Sequence, residues 1–195
     1  MAKFQARKIP GRWRDGYALD LHTLSSTPIG HDAFGHMQFD TTYSEVGGLL
    51  YRLKSKGDRK VVTEIVGAAE KFIRSWNPPI EAIVPVPPSS QRPLQPVMVL
   101  AKELGRRLGL PLVDCLKKTR EARQLKNVSD FDERLRLLKG LHKVDRSATR
   151  GKRILLFDDL YRSGATMNAI TDALYDEGEA TDVFALAITR TRSHR

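Results

Sequence analysis

Short apolar segments that alternate with amphipathic ones constrain the fold of this 195-residue chain more than any other feature. Three segments have the spacing of amphipathic helices, and three others are short and almost continuously apolar. The helical segments are 61–73, 97–108 and 166–176, and the apolar runs are 80–86, 153–157 and 182–188. Unbroken apolar runs of strand length are typical of parallel sheets that helices cover on both faces. The pattern therefore predicts an α/β fold with a mostly parallel central sheet.

Residue types that begin or end helices mark several boundaries. Asp58 stands where a helix N-cap is expected, and the sequence Asn77-Pro78-Pro79 should end that helix. Gly109, followed by Pro111, should end the next one. Residues 110–116 are a candidate short strand.

The first sixty residues have weak periodicity and many Gly, Pro, Ser and Thr residues, so we expect an irregular or short-stranded lead-in there. Trp13 and Tyr17 lie close to Arg12 and Arg14, an arrangement that permits stacking on nucleotides. Packing of this segment onto the domain is the favoured interpretation.

The formal charge of +10 and the pI near 9.9 imply a polyanionic partner. Residues 117–153 carry 13 basic and 5 acidic residues. Charge alone leaves open a nucleic acid, a phosphorylated small molecule and a merely solvated surface. Acidic residues at 130, 132 and 133 interrupt the basic segment, which favours a solvated or substrate-closing loop over a nucleic-acid surface.

Three observations exclude other classes of protein. The single cysteine, Cys115, excludes an internal disulfide, and no Cys/His cluster has the spacing of zinc ligands. The longest apolar run, 183–188, has six residues, whereas a transmembrane helix needs roughly 20. The basic residues 1–14 lack the apolar stretch of a secretory signal, so we expect a cytoplasmic protein that does not bind membranes.

The segment 154–166 combines the residue types of a phosphate-binding site. A buried strand leads to Asp158 and Asp159, and a turn with hydroxyl groups and Gly164 then opens a helix. Ligands of α/β sheets bind at the carboxyl ends of strands, and a helix N-terminus attracts anions. The turn suits a terminal phosphate, and the two acids suit sugar hydroxyls. The alternative is that both acids are solvated caps of the following helix.

Residues 157–166 resemble the phosphoribosyl pyrophosphate (PRPP) signature of type I phosphoribosyltransferases, in which two acids precede a turn that ends in Thr/Ser-Gly-x-Thr. Further stretches resemble the ComF group, competence-associated proteins of that family. These stretches are 49–58, 84–87 and the basic stretch with Gln124, Glu133 and Arg134. The resemblance implies the type I phosphoribosyltransferase fold over 45–195, with a basic mobile hood segment at about 117–150. Residues 1–44 would then form an irregular lead-in that contributes to the hood.

The resemblance also implies a role for each part of the site. Asp158 and Asp159 would hold the ribose 2′ and 3′ hydroxyls, and they are the candidate catalytic residues and metal ligands. The 5-phosphate would bind to Arg162, Ser163, Gly164, Ala165 and Thr166. The pyrophosphate and its Mg²⁺ ion would bind to the loop of Val86, Pro87, Pro88 and Ser89. Candidate contacts from the hood are Arg120, Arg123, Gln124 and Arg134.

The implied reaction is displacement of pyrophosphate from ribose C1 by a nitrogenous acceptor, which makes the protein a phosphoribosyltransferase. The acceptor is unknown, and a homodimer is plausible. A ComF-type accessory protein that binds PRPP without turnover, or that associates with nucleic acid in DNA uptake, is the alternative.

Two departures from the resemblance bear on activity. The chain lacks the N-terminal cysteine-based zinc module that is common in ComF relatives. Residues 92–96, Arg-Pro-Leu-Gln-Pro, stand where an Arg-Gly-Phe-Asn-Gln-like sequence is expected, and the two prolines stiffen a loop that handles pyrophosphate.

Overall fold

The computed structural model describes residues 2–88, 93–119 and 131–192. In chain order the strands are β1 (Arg7–Lys8), β2 (Asp15–Leu21), β3 (Thr23–His31), β4 (Met37–Tyr43), β5 (Ala82–Pro85), β6 (Leu116–Lys118), β7 (His142–Val144), β8 (Arg153–Tyr161) and β9 (Asp182–Arg190). The helices are α1 (Glu45–Lys56), α2 (Val62–Trp76), α3 (Pro96–Leu108), α4 (Phe131–Leu138), α5 (Arg146–Thr149) and α6 (Ala165–Asp176), and a 3-10 turn, Arg59–Val61, precedes α2.

The central sheet has the strand order β1-β2-β9-β8-β5, and every neighbouring pair except β1 with β2 is parallel. Alternate side chains of β8 point to opposite faces of this sheet. Leu155 and Phe157 join the core formed with α1, α2 and α3, whereas Ile154 and Leu156 join the core formed with α6. The predicted α/β fold with a mostly parallel, helix-covered sheet is confirmed.

Helix boundaries follow the residue types that predicted them. The Asp58 side chain accepts a hydrogen bond from the Lys60 N–H at 3.1 Å and so caps the 3-10 turn. Asn77 and Gly109 end α2 and α3 in the left-handed conformation, with φ of 51° and 68°. Among the described residues, no helix is long and apolar enough to cross a membrane.

Two strand predictions need correction. Within 110–116, only Leu112 bridges to the sheet, opposite Ile83, and β6 begins at Leu116. Pro111 lacks an N–H for a sheet ladder, which limits pairing there. Strand β8 does not end at residue 157 but continues to Tyr161, because β9 pairs with it through Arg190.

The N-terminal segment is more regular than expected. Strand β2 lies inside the central sheet beside β9, and β3 and β4 form a long hairpin. Its Gly, Pro and Ser residues suggested irregular structure because they have low strand preference or favour turns, yet cross-strand hydrogen bonds hold them here. Trp13 is buried against Tyr161, with ring centroids 6.3 Å apart, so the packing interpretation of this residue is confirmed.

Cys115 should react slowly with thiol reagents in the folded protein. Burial, reinforced by the carboxylates of Asp114 and Asp145, raises the pKa of its thiol from 9.0 to about 11. The thiolate is the reactive form, so at pH 8 its fraction falls roughly 100-fold. Modification by a disulfide reagent should therefore be at least about 100-fold slower in the native chain than in denaturant. Equal rates would contradict the burial of this side chain.

Candidate active site

The carboxyl ends of two neighbouring strands form the floor of the candidate site. Strands β5 and β8 are parallel and in register, with Pro85 opposite Phe157. The Val86 N–H donates to the Phe157 carbonyl at 2.8 Å, so the chain beyond β5 leaves the sheet beside the acids of β8. Parallel pairing thus brings Pro85 beside Phe157, which is 72 residues later in the sequence.

A cleft of about 480 Å³ opens at this edge of the sheet. Seven of the predicted site residues line it, together with residues from α1 and from the start of α3. Its lining consists of Lys54, Ser55, Val86, Pro87, Pro88, Gln95, Pro96, Val97, Asp158, Asp159, Leu160, Arg162 and Thr166. The structure therefore places the acids, the Pro-rich loop and part of the phosphate turn around one cavity.

Asp158 and Asp159 lie within the second half of β8, whereas the sequence pattern placed them just after the strand, and this corrects that expectation. Both are only partly exposed, and the Asp159 N–H donates to Asp158 Oδ1 at 2.7 Å. Burial, reinforced by the Asp159 carboxylate, raises the pKa of Asp158 well above its ordinary value. The pair therefore supplies hydrogen-bond acceptors at the cleft floor, and Asp158 holds its proton more tightly than an ordinary carboxyl group.

Lys54 is a site residue that the sequence analysis did not single out. Its Nζ lies 2.7 Å from Asp159 Oδ1, with side chains 22% and 15% exposed, so the two charges pair largely out of water. The last turn of α1 delivers this ammonium group to the cleft. The only available signal was the stretch 49–58, which resembles a family motif but does not by itself give Lys54 a role.

The turn after β8 forms a second, smaller cavity of about 110 Å³ lined by residues 158 and 160–167. Gly164 is the N-cap of α6, with φ of 79°, and has no side chain with which to cap the helix, although Ser163 Oγ accepts a long hydrogen bond from the Ala165 N–H at 3.5 Å. The alternative in which Asp158 and Asp159 cap α6 is therefore wrong. The first N–H groups of the helix have no intrahelical acceptor, and together with Ser163 and Thr166 they suit a phosphate monoester.

The N-terminal segment braces this turn from behind. The Tyr161 hydroxyl donates to the Pro10 carbonyl at 3.0 Å. The Asn168 side chain donates to the Gly164 carbonyl at 2.9 Å and accepts from the Arg12 N–H at 2.8 Å. These bonds fix the turn before any ligand arrives, which lowers the entropic cost of binding.

The described part of the basic segment borders the cleft at the Pro-rich loop. Lys118 of β6 donates to the Pro88 carbonyl at 2.7 Å, and β6 pairs with β7. The hood candidates Arg120, Arg123 and Gln124, and Ser89 of the Pro-rich loop, lie outside the described residues. Arg134 lies in α4, and its side chain is not among those that the structure describes.

Replacing Gly164 by Ala should deform the phosphate turn. A Cβ there would lie 2.6 Å from the Tyr161 hydroxyl, and φ is positive. Tyr161 cannot retreat, because Trp13 and Pro10 hold it. We expect a loss of about 2–3 kcal/mol in stability and about tenfold in phosphate-ligand affinity, measured by thermal unfolding and calorimetry.

Gly151→Ala is the matched control. Gly151 also has a positive φ, 70°, but a Cβ there meets nothing within 4 Å. It should lose only about 1 kcal/mol of stability from backbone strain, with ligand affinity unchanged. Equal behaviour of the two variants would refute the specific fit of the turn against Tyr161.

Comparison with known proteins identifies the family. The family model described as phosphoribosyl transferase domain matches residues 59–192, which include the Pro-rich loop, the acids and the phosphate turn. The chain belongs to this family. No match was found among curated proteins.

Solved structures that match this chain include two adenine phosphoribosyltransferases. The one from Thermoanaerobacter pseudethanolicus is 15% identical with a TM-score of 0.47, and the alignment covers 85% of this chain and 94% of that one. The one from Trypanosoma brucei is 12% identical with a TM-score of 0.49, covering 94% and 73%. A glutamine PRPP amidotransferase from B. subtilis is 19% identical with a TM-score of 0.47, covering 66% of this chain. This chain spans only 26% of the amidotransferase.

Proposed function

We propose that the protein binds PRPP in this cleft and transfers its 5-phosphoribosyl group to a nitrogenous acceptor with release of pyrophosphate. One observation carries the proposal: the paired acids line the cleft that they share with the Pro-rich loop, and Asp158 also lines the adjoining cavity of the braced phosphate turn. A sugar with a phosphate at one end and a diphosphate at the other needs acceptors for its hydroxyls between two anion sites. The family match supports this assignment.

Each part of the substrate has a counterpart in the site. The turn from Arg162 to Thr166 would hold the 5-phosphate, and Asp158 and Asp159 would accept hydrogen bonds from the ribose hydroxyls. The loop that begins at Val86 and the ammonium group of Lys54 would face the diphosphate. Basic groups are required there because charge develops on the leaving group as its bond to C1 breaks.

The donor set fits a Mg²⁺ ion only together with substrate. Among the described residues, no group of three or more His, Cys, Asp or Glu side chains is arranged to hold a metal. Mg²⁺ commonly binds one or two carboxylates and completes its octahedral shell with water and substrate phosphates. Asp158 and Asp159 would hold such an ion, which would neutralise charge on the diphosphate.

The reaction is a substitution at ribose C1. The bond from C1 to the diphosphate oxygen breaks with departure of its electron pair, and the acceptor nitrogen forms the new bond to C1 and loses a proton. Positive charge accumulates on the ribose ring in the transition state. The carboxylates beneath the ring would stabilise this charge, and the cations around the diphosphate would stabilise the opposite charge.

Pyrophosphate release tests the proposal. The protein should bind PRPP in the presence of Mg²⁺ by calorimetry, and one or more members of a panel of nucleobases and small amines should elicit pyrophosphate release above the rate of PRPP hydrolysis. Ligand carried through purification and identified by mass spectrometry would point to the acceptor. Failure to bind PRPP at millimolar concentration would overturn the assignment of the site.

The high positive charge favours one alternative, a PRPP-binding accessory protein that associates with nucleic acid, as the ComF resemblance suggests. In that case PRPP binds but no acceptor elicits pyrophosphate release. Binding to DNA should then weaken steeply with salt, because phosphate contacts release counterions. Turnover with any acceptor, alongside weak and salt-insensitive DNA binding, supports the transferase.

A further inference from the structure

A second cavity, of about 460 Å³, lies between α4, the start of β7 and α6. It is nearly as large as the cleft and shares none of the cleft's lining residues. Leu138 and Leu141 pack together with Ala165 in a small buried cluster, which holds α4 against α6. The space, called the α4–α6 cavity below, therefore has fixed walls and the volume of a small-molecule site.

His142 supplies a buried polar side chain to the α4–α6 cavity. It is 3% exposed, and among the described residues its Nδ1 atom has no hydrogen-bond partner. Burial, reinforced by the charge of Lys118, lowers the pKa of His142 to about 4, so its ring is neutral at pH 7 and offers one donor and one acceptor. Buried polar atoms without a partner are rare and destabilise a fold. A polar atom of a ligand in the cavity can supply the partner once the ring turns about its Cβ–Cγ bond.

The charged side chains of the cavity are divided between its two helices. Arg136 of α4 and Lys139, which follows α4, are on one side, whereas Asp176 and Glu177 are at the end of α6. Within the described part of the chain, none of these four side chains takes part in an ion pair. Their charges are therefore available to a ligand.

The two acids lie where a helix disfavours them. Asp176 is the last residue of α6 and Glu177 is its C-cap, and the last turn of this helix has no basic residue. The carbonyl end of a helix carries partial negative charge, which stabilises cations such as Arg136 and Lys139 after α4 and destabilises carboxylates. The helix thus accounts for the two cations but not for the two acids. A ligand with hydrogen-bond donors would account for them.

The surface between these charges is apolar. Leu135 belongs to α4, and Ala169 and Ala173 lie one turn apart on α6. Side chains as small as alanine leave room for a ring to lie against the helix. A ligand that fits all these surfaces has an anionic group at one end, donors at the other and a ring between them. A nucleic acid strand does not fit, because the acids of α6 would repel its phosphates.

We propose that the α4–α6 cavity binds a 5′-nucleotide whose base carries an amino group. The phosphate contacts Arg136 and Lys139, the amino group donates to Asp176 or Glu177, and the ring lies against Ala173. A ring nitrogen of the base or a hydroxyl of the ribose pairs with His142. This site does not depend on the proposed function, because it lies outside the cleft.

Calorimetry with AMP, GMP and CMP tests this proposal on the full chain. The Asp158→Asn/Asp159→Asn variant is titrated beside the wild type, because each nucleotide also contains a ribose phosphate that the cleft could hold. At least one nucleotide should bind both proteins with the same affinity. IMP and UMP, which lack the amino group, and adenosine or cytidine, which lack the phosphate, should bind about tenfold more weakly.

Three variants place the ligand in the cavity. Arg136→Gln/Lys139→Gln and Ala173→Leu, whose larger side chain fills the space, should each weaken nucleotide binding about tenfold. His142→Phe should also weaken binding, yet it should unfold at higher denaturant concentration because it removes the unpartnered nitrogen. A histidine with a purely structural role would not affect nucleotide affinity.

Lys117→Gln/Lys143→Gln is the matched control. These lysines are exposed and pair across β6 and β7, and neither lines the cavity. The control removes the same charge as the Arg136→Gln/Lys139→Gln variant and should leave nucleotide affinity unchanged. Absence of binding at millimolar nucleotide, or binding that the cavity variants do not weaken, overturns the proposal. Binding that disappears in Asp158→Asn/Asp159→Asn would assign the nucleotide to the cleft, which also overturns it. Failure of PRPP to bind would instead affect only the proposed function.

Discussion

Replacing both acids of β8, Asp158→Asn with Asp159→Asn, should reduce PRPP affinity at least 100-fold. Each carboxylate is expected to accept hydrogen bonds from ribose hydroxyls, and a hydrogen bond to a charged group contributes about 1.5–3 kcal/mol. Two such losses together exceed the roughly 2.7 kcal/mol that corresponds to 100-fold. Isothermal titration calorimetry with PRPP and Mg²⁺ measures the change. Affinity within threefold of wild type would remove the acids from the site.

Asp172→Asn is the control for this experiment. Asp172 lies on α6 and pairs with Arg12 at 2.6 Å in an exposed ion pair. Its replacement removes one negative charge from the same domain without touching the cleft, so PRPP affinity should not change. A loss in both variants would indicate a general effect of charge.

Asp158→Asn alone should stabilise the fold while it impairs binding. Burial and the Asp159 carboxylate raise the pKa of Asp158 from 3.8 to about 7. The folded chain holds this proton more tightly than the unfolded chain. The free energy of unfolding of the protein therefore falls as the pH rises from about 4 to about 7. At pH 8 the neutral amide avoids that loss, and we expect a gain of roughly 1–2 kcal/mol in denaturant unfolding. A loss of stability would contradict the burial of charge at this position.

Most of the central sheet could be predicted from sequence because its strands are buried on both faces. The run from Ile154 to Phe157 is apolar without a break, and such a run has few alternatives to a parallel core strand. The caps Asp58, Asn77 and Gly109 fixed helix ends for reasons that are local to a few residues. These parts of the fold depend on short-range chemistry that the sequence displays directly.

The hairpin and the length of β8 could not be predicted in the same way. Strand β8 continues through Tyr161 only because β9 is present beside it, and Thr23–His31 forms a strand although its Ser, Pro and Gly residues favour turns. Pairing across many residues decides both cases, and strand preference depends on such neighbours more than helix preference does.

The candidate site likewise has parts that local sequence predicts and parts that depend on long-range contacts. The acids and the phosphate turn are close in sequence, so the sequence predicts them as one unit, and the structure brings the acids and part of the turn to one cavity with the Pro-rich loop. Lys54 reaches Asp159 from a helix 105 residues earlier. No spacing rule connects them, and the bracing of the turn by Pro10 and Arg12 is equally remote.

Lys54→Met should reduce PRPP affinity about 30-fold, because the ammonium group is expected to contact the diphosphate and also holds Asp159. The Asp159 carboxylate would lose its 2.7 Å partner and lie unpaired beside Asp158. A charge-assisted contact of about 2 kcal/mol accounts for that factor. Lys56→Met, in the same turn of α1 but exposed, should leave affinity unchanged. Comparison with ribose 5-phosphate, which lacks the diphosphate, separates the contact of Lys54 with the diphosphate from its positioning of Asp159. If Lys54 contacts the diphosphate, the variant should lose much more affinity for PRPP than for ribose 5-phosphate, whereas equal losses would assign it to positioning Asp159 alone.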